Sequence, residues 1–227
     1  MNGIFITGTN TSVGKTQVAT LLARELQKKN ISVVPRKPVE SGCLTENGEL
    51  IPQDAVALKN AAGYSGSLAQ VCPFRFEPPI SPVRAAHLAN QALTTKKVAQ
   101  ACTANVNEEK DFLLVEGAGG FYSPLCEDGL NADLAEKLNL PVILVTQDKL
   151  GCINDVLLSV QAIQSRKLNL IMVVLNQIEA KDSNSEMNNE EDLKDFLDCP
   201  IFSVPHLEQK ASFSLPDELL NIVLDQL

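Results

Sequence analysis

The fold is decided by residues 3–16, which read GIFITGTNTSVGKT. An apolar run ends at Gly8, a polar loop follows, and apolar residues then recur at helical spacing between positions 18 and 26. Glycines let such a loop curl so that its N–H groups point at phosphate oxygens, and the next helix presents its positive end to the same anion. The stretch predicts a triphosphate site, with Lys15 at the β- and γ-phosphates and the Thr16 hydroxyl on magnesium.

The loop departs slightly from the usual pattern of its kind. Five residues separate Gly8 from Gly14, one more than in the standard motif. The alternative is an ordinary turn, rich in glycine, serine and threonine, at the start of a helix. We prefer the phosphate loop because strand, loop and helix follow one another as its mechanism requires.

Further apolar runs repeat this alternation, at residues 31–35, 112–115, 141–145 and 170–175. They are continuously apolar, which is typical of parallel strands covered by helices on both faces. Helical patterns lie between them, for example at residues 153–166. The sequence predicts an α/β fold of the P-loop NTPase type, in which a doubly wound, mostly parallel sheet is flanked by helices. We expect a single domain over residues 1–227.

Two segments interrupt the alternation. Residues 38–85 are rich in proline, glycine and serine but keep apolar residues throughout, so we predict a long functional excursion between strands and not a linker. Residues 179–192 are polar and acidic, and we predict a surface loop that leads into a short helix.

Charge and composition exclude several classes of protein. Among 227 residues, 19 are basic and 28 acidic, a net charge of −9 that would repel nucleic acids and anionic membranes. No apolar run reaches the roughly 18–20 residues of a membrane helix, and the first residues lack a signal-peptide pattern. The six cysteines stand singly and only two histidines occur, which favours a cytoplasmic protein with reduced thiols and excludes a histidine-rich metal site.

Other candidates follow strands, at the edge where parallel sheets bind ligands. Lys37 could neutralise charge beside a γ-phosphate, with a solvent-facing lysine as an equal alternative. Glu116 suits magnesium, although the glycines after it also fit a tight turn, and Asp54 could complete the metal site. At residues 151–154 a helix start could bind an anion, whereas ordinary capping by Asn154 or its neighbours is the alternative that local physics favours.

Taken together, these segments resemble the dethiobiotin synthetase family. The resemblance spans most of the chain and rests on residues 8–16, 37–39, 41–42, 54, 115–120, 141–145, 149–154 and 176. It implies an enzyme, an ATP-dependent ligase that uses Mg²⁺ and joins 7,8-diaminononanoate (diaminopelargonate) with CO₂ to give dethiobiotin, ADP and phosphate. The implied route runs through a carbamate and a carbamic-phosphoric anhydride, and the implied assembly is a homodimer.

The resemblance also implies roles for individual residues. Lys15 and Lys37 would be catalytic, stabilising the transferring phosphoryl group, with Lys37 also at the carbamate. Magnesium would be held by Thr16, Asp54 and Glu116. The diamine substrate would be bound by Thr11, Ser41, Gly151, Cys152, Ile153 and Asn154, the last four across the dimer interface. The nucleotide would be bound by Ser12, Val13, Gly14, Lys15, Thr16, Gln17, Asp54, Glu116, Gly117, Ala118, Gly119, Asn176, Gln177, Pro205, His206 and Leu207, among which Asn176 reads the adenine.

The chain departs from the family pattern at Ser12 and Gln177, where an acidic residue is usual. Ser12 cannot make the contact of a carboxylate there, and Gln177 leaves the choice between ATP and CTP open. Two other classes compete with the resemblance. Amide-forming synthetases of the cobyrinate class normally add a glutaminase domain, for which 227 residues leave no room. Partitioning or division-site ATPases carry a further lysine before the loop glycines, near the place where this chain has Asn10.

Overall fold

A computed structural model describes residues 1–180, 186–206 and 213–226. Its strands are β1 (Gly3–Gly8), β2 (Ser32–Arg36), β3 (Val39–Ser41), β4 (Leu44–Glu46), β5 (Glu49–Ile51), β6 (Phe74–Phe76), β7 (Asp111–Gly120), β8 (Pro124–Cys126), β9 (Gly129–Leu130), β10 (Val142–Gln147), β11 (Leu170–Asn176) and β12 (Ile201–Val204). Its helices are α1 (Lys15–Lys28), α2 (Gln53–Ala61), α3 (Leu68–Val71), α4 (Pro82–Leu88), α5 (Thr95–Thr103), α6 (Asn131–Leu138), α7 (Cys152–Ser165), α8 (Asn189–Lys194) and α9 (Asp217–Leu224).

Within this part of the chain, six strands form a central sheet in the order β2–β7–β1–β10–β11–β12. Every neighbouring pair in the sheet is parallel. The chain passes from β1 to β2 on one side, inserts β7 between them, and then adds β10, β11 and β12 on the other side. This reversal beside β1 confirms the predicted doubly wound fold, and it places the carboxyl ends of β1 and β7 at the crevice where such sheets bind ligands.

Side chains of the central strands alternate between two apolar layers. Ile4 and Ile6 of β1 join a cluster on one face that includes Leu22 of α1 and Leu219 of α9. Phe5, between them, belongs to the opposite cluster, to which α5, α6 and α7 contribute. Because both faces are buried in this way, the strands are apolar at successive positions, as the sequence predicted.

The excursion at residues 38–85 forms strands and helices of its own. Its strands β3 and β6 pair in parallel, β4 and β5 form a hairpin, and α2 packs beside α1. Just before it, Arg36 is fully buried and donates hydrogen bonds to the carbonyl oxygens of Cys102 and Ala104, at 3.0 and 2.7 Å. The guanidinium thereby satisfies backbone groups at the end of α5, which a helix leaves unpaired.

The structure corrects two predicted boundaries. β2 begins and ends one residue later than predicted. β7 runs through Gly120, so the glycine-rich stretch expected as a loop after Glu116 lies inside the strand. The predicted short helix is α8, which begins at Asn189, inside the segment predicted as a loop. Residues 181–185 of that segment lie outside the described part of the chain. Over its described residues, the structure has no helix with the length and apolarity that crossing a membrane requires.

Candidate active site

The phosphate loop joins the end of β1 to the first turn of α1. Gly14 precedes α1 with a φ of +92°, in the left-handed region, and Ser12 has a φ of +60°. A Cβ at Gly14 would also collide with the side-chain amide of Asn176, so two separate constraints require glycine there. The ammonium of Lys15 donates a hydrogen bond of 2.9 Å to the carbonyl oxygen of Asn10, which holds the lysine over the loop.

Lys37 lies at the centre of a cluster that we call the Lys37 cluster: Lys37, Thr16, Asp54 and Glu116. The Lys37 ammonium is 2.5 Å from Oε1 of Glu116 and 3.1 Å from Oδ2 of Asp54. The same Oε1 accepts a hydrogen bond of 2.7 Å from the Thr16 hydroxyl. Lys37 is 4% exposed and Glu116 is fully buried, so water screens these charges weakly. Residues predicted from distant parts of the sequence are thus brought into contact.

The two lysines respond differently to their surroundings. Burial, followed by the positive charge of Lys37, lowers the pKa of Lys15 from 10.5 to about 8. Burial also acts to lower the pKa of Lys37, but the carboxylates of Glu116 and Asp54 outweigh it and raise that pKa. Burial opposes ionisation of Asp54, yet the Lys37 ammonium lowers its pKa. Lys37 is therefore a fixed cation at neutral pH, whereas the charge of Lys15 depends on what lies next to it.

The oxygen atoms of the Lys37 cluster suit a hard divalent cation. Oε2 of Glu116 is buried and has no hydrogen-bond partner among the described residues, and such an oxygen is costly to leave unpaired. Asp54 and Thr16 line the same hollow as Glu116. The described residues contain no group of three or more His, Cys, Asp or Glu side chains arranged for a metal. Two carboxylates and a hydroxyl still fit Mg²⁺, which completes its shell with water and phosphate oxygens.

Two hollows lie side by side here and share Thr11, Ser41, Ala118 and Gly119 in their linings. One, of about 360 Å³, lies between the phosphate loop and the Lys37 cluster. The other, of about 420 Å³, is lined in part by residues 79–82, three of which are proline or isoleucine. Thr11 and Ser41 line both hollows, which therefore form one cavity with a charged end and a more apolar end. These two residues, predicted to bind substrate, lie where the two ends meet.

The glycine-rich end of β7 allows close approach of other groups. A Cβ at Gly117 would lie 2.8 Å from Oδ1 of Asn131, and one at Gly120 would lie 2.9 Å from the carbonyl oxygen of Thr9. Asn131 accepts a hydrogen bond from the N–H of Ala118 and donates one to its carbonyl oxygen, as a neighbouring strand would. The glycines therefore extend the strand and do not form a turn.

Other residues predicted to bind the nucleotide lie in different surroundings. Ser12, Ala118 and Gly119 line the cavity beside the Lys37 cluster. Gln17 lines a neighbouring groove between α1 and α2, and Val13 is buried beneath the loop.

Asn176, predicted to read the nucleobase, is fully buried at the end of β11. Its Nδ2 donates a hydrogen bond of 3.2 Å to the carbonyl oxygen of Val13, and its Oδ1 has no partner within the described chain. Gln177 donates to the carboxylate of Asp148 at 3.4 Å. The remaining predicted members of the base site are Pro205 and His206, which are exposed after β12, and Leu207, which lies outside the described residues.

Residues 151–154 form the start of α7 but line neither hollow of the cavity. The N-cap of α7 is Gly151, which has a φ of +91° and no side chain that could form a capping bond. The cap position is therefore occupied by a neighbour of Asn154 and not by Asn154 itself, whose side chain donates to Asp155 at 3.4 Å. The predicted substrate-carboxylate residues are therefore separate from the cavity of the same chain.

Glu40 is a residue of the site that the sequence reasoning missed. It is 7% exposed in β3, and its two carboxylate oxygens accept hydrogen bonds, each of 3.1 Å, from the N–H groups of Asp54 and Ala55. Burial, followed by the charge of Asp54, raises the pKa of Glu40. In the sequence, Glu40 is only an acidic residue shortly after Lys37. Nothing around it distinguishes a buried glutamate from a solvent-exposed one.

Comparison with known proteins identifies the family. A family model described as an AAA domain matches residues 2–212. The chain is 40% identical over 208 residues to the ATP-dependent dethiobiotin synthetase BioD of Vesicomyosocius okutanii subsp. Calyptogena okutanii (strain HA), with 86% of this chain and 94% of that protein covered. The chain belongs to the dethiobiotin synthetase family. A second member, from Ruthia magnifica subsp. Calyptogena magnifica, is 39% identical over 215 residues, covering 94% of this chain and 95% of that protein. The resemblance, and with it the prediction of an enzyme, is confirmed.

Solved structures agree with the fold of this family member. A plasmid partition protein from Borrelia burgdorferi B31, bound to AMPPNP, matches with a TM-score of 0.60 at 10% identity, covering 99% of this chain and 97% of that one. Cell division protein FtsY from Thermotoga maritima matches with a TM-score of 0.51 at 14% identity, covering 98% and 68%. At such identities the likeness concerns the fold alone, and it confirms the predicted P-loop NTPase type.

Proposed function

We propose that this chain, as the single domain predicted over residues 1–227, catalyses the ATP- and magnesium-dependent ring closure of 7,8-diaminononanoate with CO₂ to dethiobiotin, ADP and phosphate. The observation that carries the proposal is one cavity with two buried lysines beside a phosphate loop at one end and an apolar lining at the other. The names of the relatives, which are ATP-dependent dethiobiotin synthetases, support the same reaction.

Two buried cations suit the charges of this reaction. The triphosphate, a carbamate and the substrate carboxylate would all be anions, in a chain whose net charge is −9. Local cations must therefore overcome the field of the whole molecule. We assign this role to Lys15 and Lys37 together with a divalent cation, which would offset the neighbouring carboxylates. The two lysines line the cavity and would stabilise charge on the transferring phosphoryl group.

The proposed route has three steps. One amine of the substrate loses a proton and adds to CO₂, which forms a carbamate. A carbamate oxygen attacks the γ-phosphorus as its bond to ADP breaks, giving a carbamic-phosphoric anhydride. The second amine attacks the carbonyl carbon and loses a proton to solvent, and the C–O bond to the phosphate breaks, so that phosphate leaves as the cyclic urea closes. Lys37, held as a cation between Glu116 and Asp54, would stabilise both the carbamate and the phosphoryl group.

We assign magnesium to Thr16, Asp54 and Glu116, on the strength of the unpaired Oε2 of Glu116 and the shared hollow. The ion would supply positive charge to the β- and γ-phosphate oxygens when bound. The residues themselves hold Lys37 in place, because two of them are its carboxylate partners.

Substrate placement follows the polarity of the cavity. We assign the two amines to the region of Thr11 and Ser41, and the aliphatic chain to the apolar end at residues 79–82. Since residues 151–154 line neither hollow, we propose that they bind the substrate carboxylate of the second subunit in a homodimer, using the positive end of α7.

Exposed apolar side chains support a homodimer. Leu150, just before α7, is 90% exposed, Leu158 of the same helix is 60% exposed and Tyr122 is 48% exposed. Tyr122 and Leu158 line one shared hollow. Grouped apolar side chains of this kind mark surfaces that other proteins cover.

We propose ATP as the nucleotide, with Asn176 at the base. Its unpaired, buried Oδ1 could accept a hydrogen bond from an exocyclic amino group. Adenine and cytosine both carry such a group, so parallel assays with ATP and CTP decide between them. All six cysteines are free, which supports a reducing compartment such as the cytoplasm, and the acidic charge argues against nucleic-acid or membrane partners.

A phosphate-release assay tests the reaction. Purified protein with ATP, Mg²⁺ and bicarbonate should release phosphate only when the diamine is added, and dethiobiotin should appear in equal amount. Lys37→Ala should slow turnover by at least about a hundredfold while nucleotide binding is largely kept, whereas Lys29→Ala, at the exposed end of α1, should behave as wild type. Hydrolysis that ignores the diamine but responds to DNA or lipid would contradict the proposal.

Mixed dimers test the sharing of sites. Lys37→Ala and Asn154→Ala chains, each impaired alone, should recover activity when mixed, because one of the two sites in a heterodimer combines intact residues from both chains. No recovery in heterodimers verified by mass spectrometry would contradict a site shared between subunits.

A further inference from the structure

Glu40 connects the part of the chain that carries Lys37 to the helix that carries Asp54. It lies in β3, which begins two residues after Lys37. Its carboxylate reaches across to α2, fourteen residues further on, and accepts hydrogen bonds from the N–H groups of Asp54 and Ala55 at 3.1 Å each. At 7% exposure, water competes weakly for these groups.

The first turn of α2 needs such an acceptor. A helix begins with backbone N–H groups that have no partner within the helix. The N-cap residue of α2 is Pro52, which makes no side-chain capping bond. Glu40 supplies the missing acceptors from another strand, and its negative charge lies at the positive end of the helix.

We propose that Glu40 is a positioning residue for the metal site: by capping α2 it holds the Asp54 carboxylate in place, 3.1 Å from the Lys37 ammonium. Both Glu40 oxygens are directed at backbone N–H groups, so Glu40 acts through Asp54 and not as a ligand. The inference rests on the proposed role of Asp54 in binding magnesium.

Mn²⁺ binding in the presence of AMPPNP, followed by electron paramagnetic resonance, tests the proposal on the full chain. Loss of the cap should weaken Mn²⁺ binding by about five- to tenfold in Glu40→Ala, in line with the usual effect of removing a helix cap. Glu40→Gln keeps one hydrogen-bond acceptor, so its Mn²⁺ affinity should fall less than that of Glu40→Ala. Glu46→Ala, an exposed carboxylate in β4 of the same excursion, is the matched control and should bind Mn²⁺ as wild type does.

A double variant separates positioning from direct ligation. Asp54→Asn should weaken Mn²⁺ binding by itself, and adding Glu40→Ala to it should weaken binding by less than about twofold more, because residues that act through one another are not additive. Amide hydrogen exchange at Asp54 and Ala55 should accelerate in Glu40→Ala, a local change that does not depend on metal.

The possible failures are distinguishable. If Asp54→Asn binds Mn²⁺ normally, the proposed metal role of Asp54 is wrong. If Asp54→Asn binds Mn²⁺ weakly but Glu40→Ala binds it normally, only the positioning role of Glu40 is overturned. The same holds if the two losses of Mn²⁺ affinity multiply in the double variant. If Glu40→Ala does not fold, the same comparisons are made with Glu40→Gln. Normal amide exchange together with normal Mn²⁺ binding in Glu40→Gln would then overturn the proposal.

Discussion

Replacing Lys15 with methionine should make the nucleotide-free protein more stable. Lys15 is 6% exposed, and burial and the charge of Lys37 lower its pKa from 10.5 to about 8. Keeping it protonated in the folded state therefore costs about 3 kcal/mol at neutral pH. Methionine removes this cost together with the hydrogen bond to Asn10, which is worth about 1 kcal/mol. The expected net gain in the free energy of unfolding is about 2 kcal/mol.

The gain should shrink as the pH rises. Lys15 binds its proton less tightly when folded, so the cost is present in full below pH about 8 and fades as the pH approaches 10.5. Lys37 has the opposite change: its raised pKa contributes stability that is complete below 10.5 and is lost only as the pH passes its higher folded value. Between about pH 7 and 9.5, the difference between variant and wild type therefore reports on Lys15.

Urea unfolding at about pH 7 and about pH 9.5, with EDTA and without nucleotide, measures the magnitude and its pH dependence. Lys29→Met, at the exposed end of α1, is the matched control and should change stability by less than about 0.5 kcal/mol. Adding ATP and Mg²⁺ should stabilise wild type but not Lys15→Met. A Lys15→Met variant that is less stable than wild type at neutral pH, or whose gain is equal at both pH values, would refute the reasoning.

Three further changes test other parts of the structure. Gly14→Ala should lose at least about 1 kcal/mol of stability in thermal unfolding and most of its ATP affinity, because φ is +92° and the new Cβ meets Asn176; unchanged binding would contradict this geometry. Arg36→Met should lose about 3 kcal/mol in urea unfolding, since carbonyl groups at the end of α5 lose their donors, and a loss under about 1 kcal/mol would mean that water replaces them. Glu116→Gln should weaken Mn²⁺ binding at least about tenfold and lower the pKa of Lys37, seen as a new basic limb in the pH profile of turnover; a profile identical to wild type would count against the ion pair.

The central sheet could be predicted from local patterns, but the order of its strands could not. β1, its loop and α1 lie in one continuous stretch, and each part has its own signal. No sequence signal indicates that β7 lies between β1 and β2. Right-handed crossovers permit consecutive strands to be either adjacent or separated, and the apolar runs of the strands resemble one another. The extension of β7 through Gly120 was missed because it depends on Asn131, whose side chain pairs with Ala118 in place of a strand.

The sequence predicted which residues belong to the candidate site better than it predicted which of them are in contact. Lys37 follows β2 and Glu116 follows the apolar run at residues 112–115, so the rule for parallel sheets places both at one edge. Nothing local brings Asp54 to them, because it belongs to α2, whose start is held by Glu40 from another strand. The separation of residues 151–154 from the cavity likewise depends on the path of the chain after β10.

The charges of the residues around the cavity determine which ligands it can bind. Two ammonium groups, Lys15 and Lys37, face the three carboxylates of Glu40, Asp54 and Glu116, so these five side chains carry a net negative charge when all are ionised. A triphosphate entering alone would be repelled by that excess, so nucleotide and divalent cation should bind as a pair. Lys37 is already neutralised by carboxylates, whereas Lys15 donates to a carbonyl oxygen and bears the cost of burial. The phosphates would therefore be the counter-charge that restores the ordinary pKa of Lys15, and part of the binding energy comes from relieving that cost.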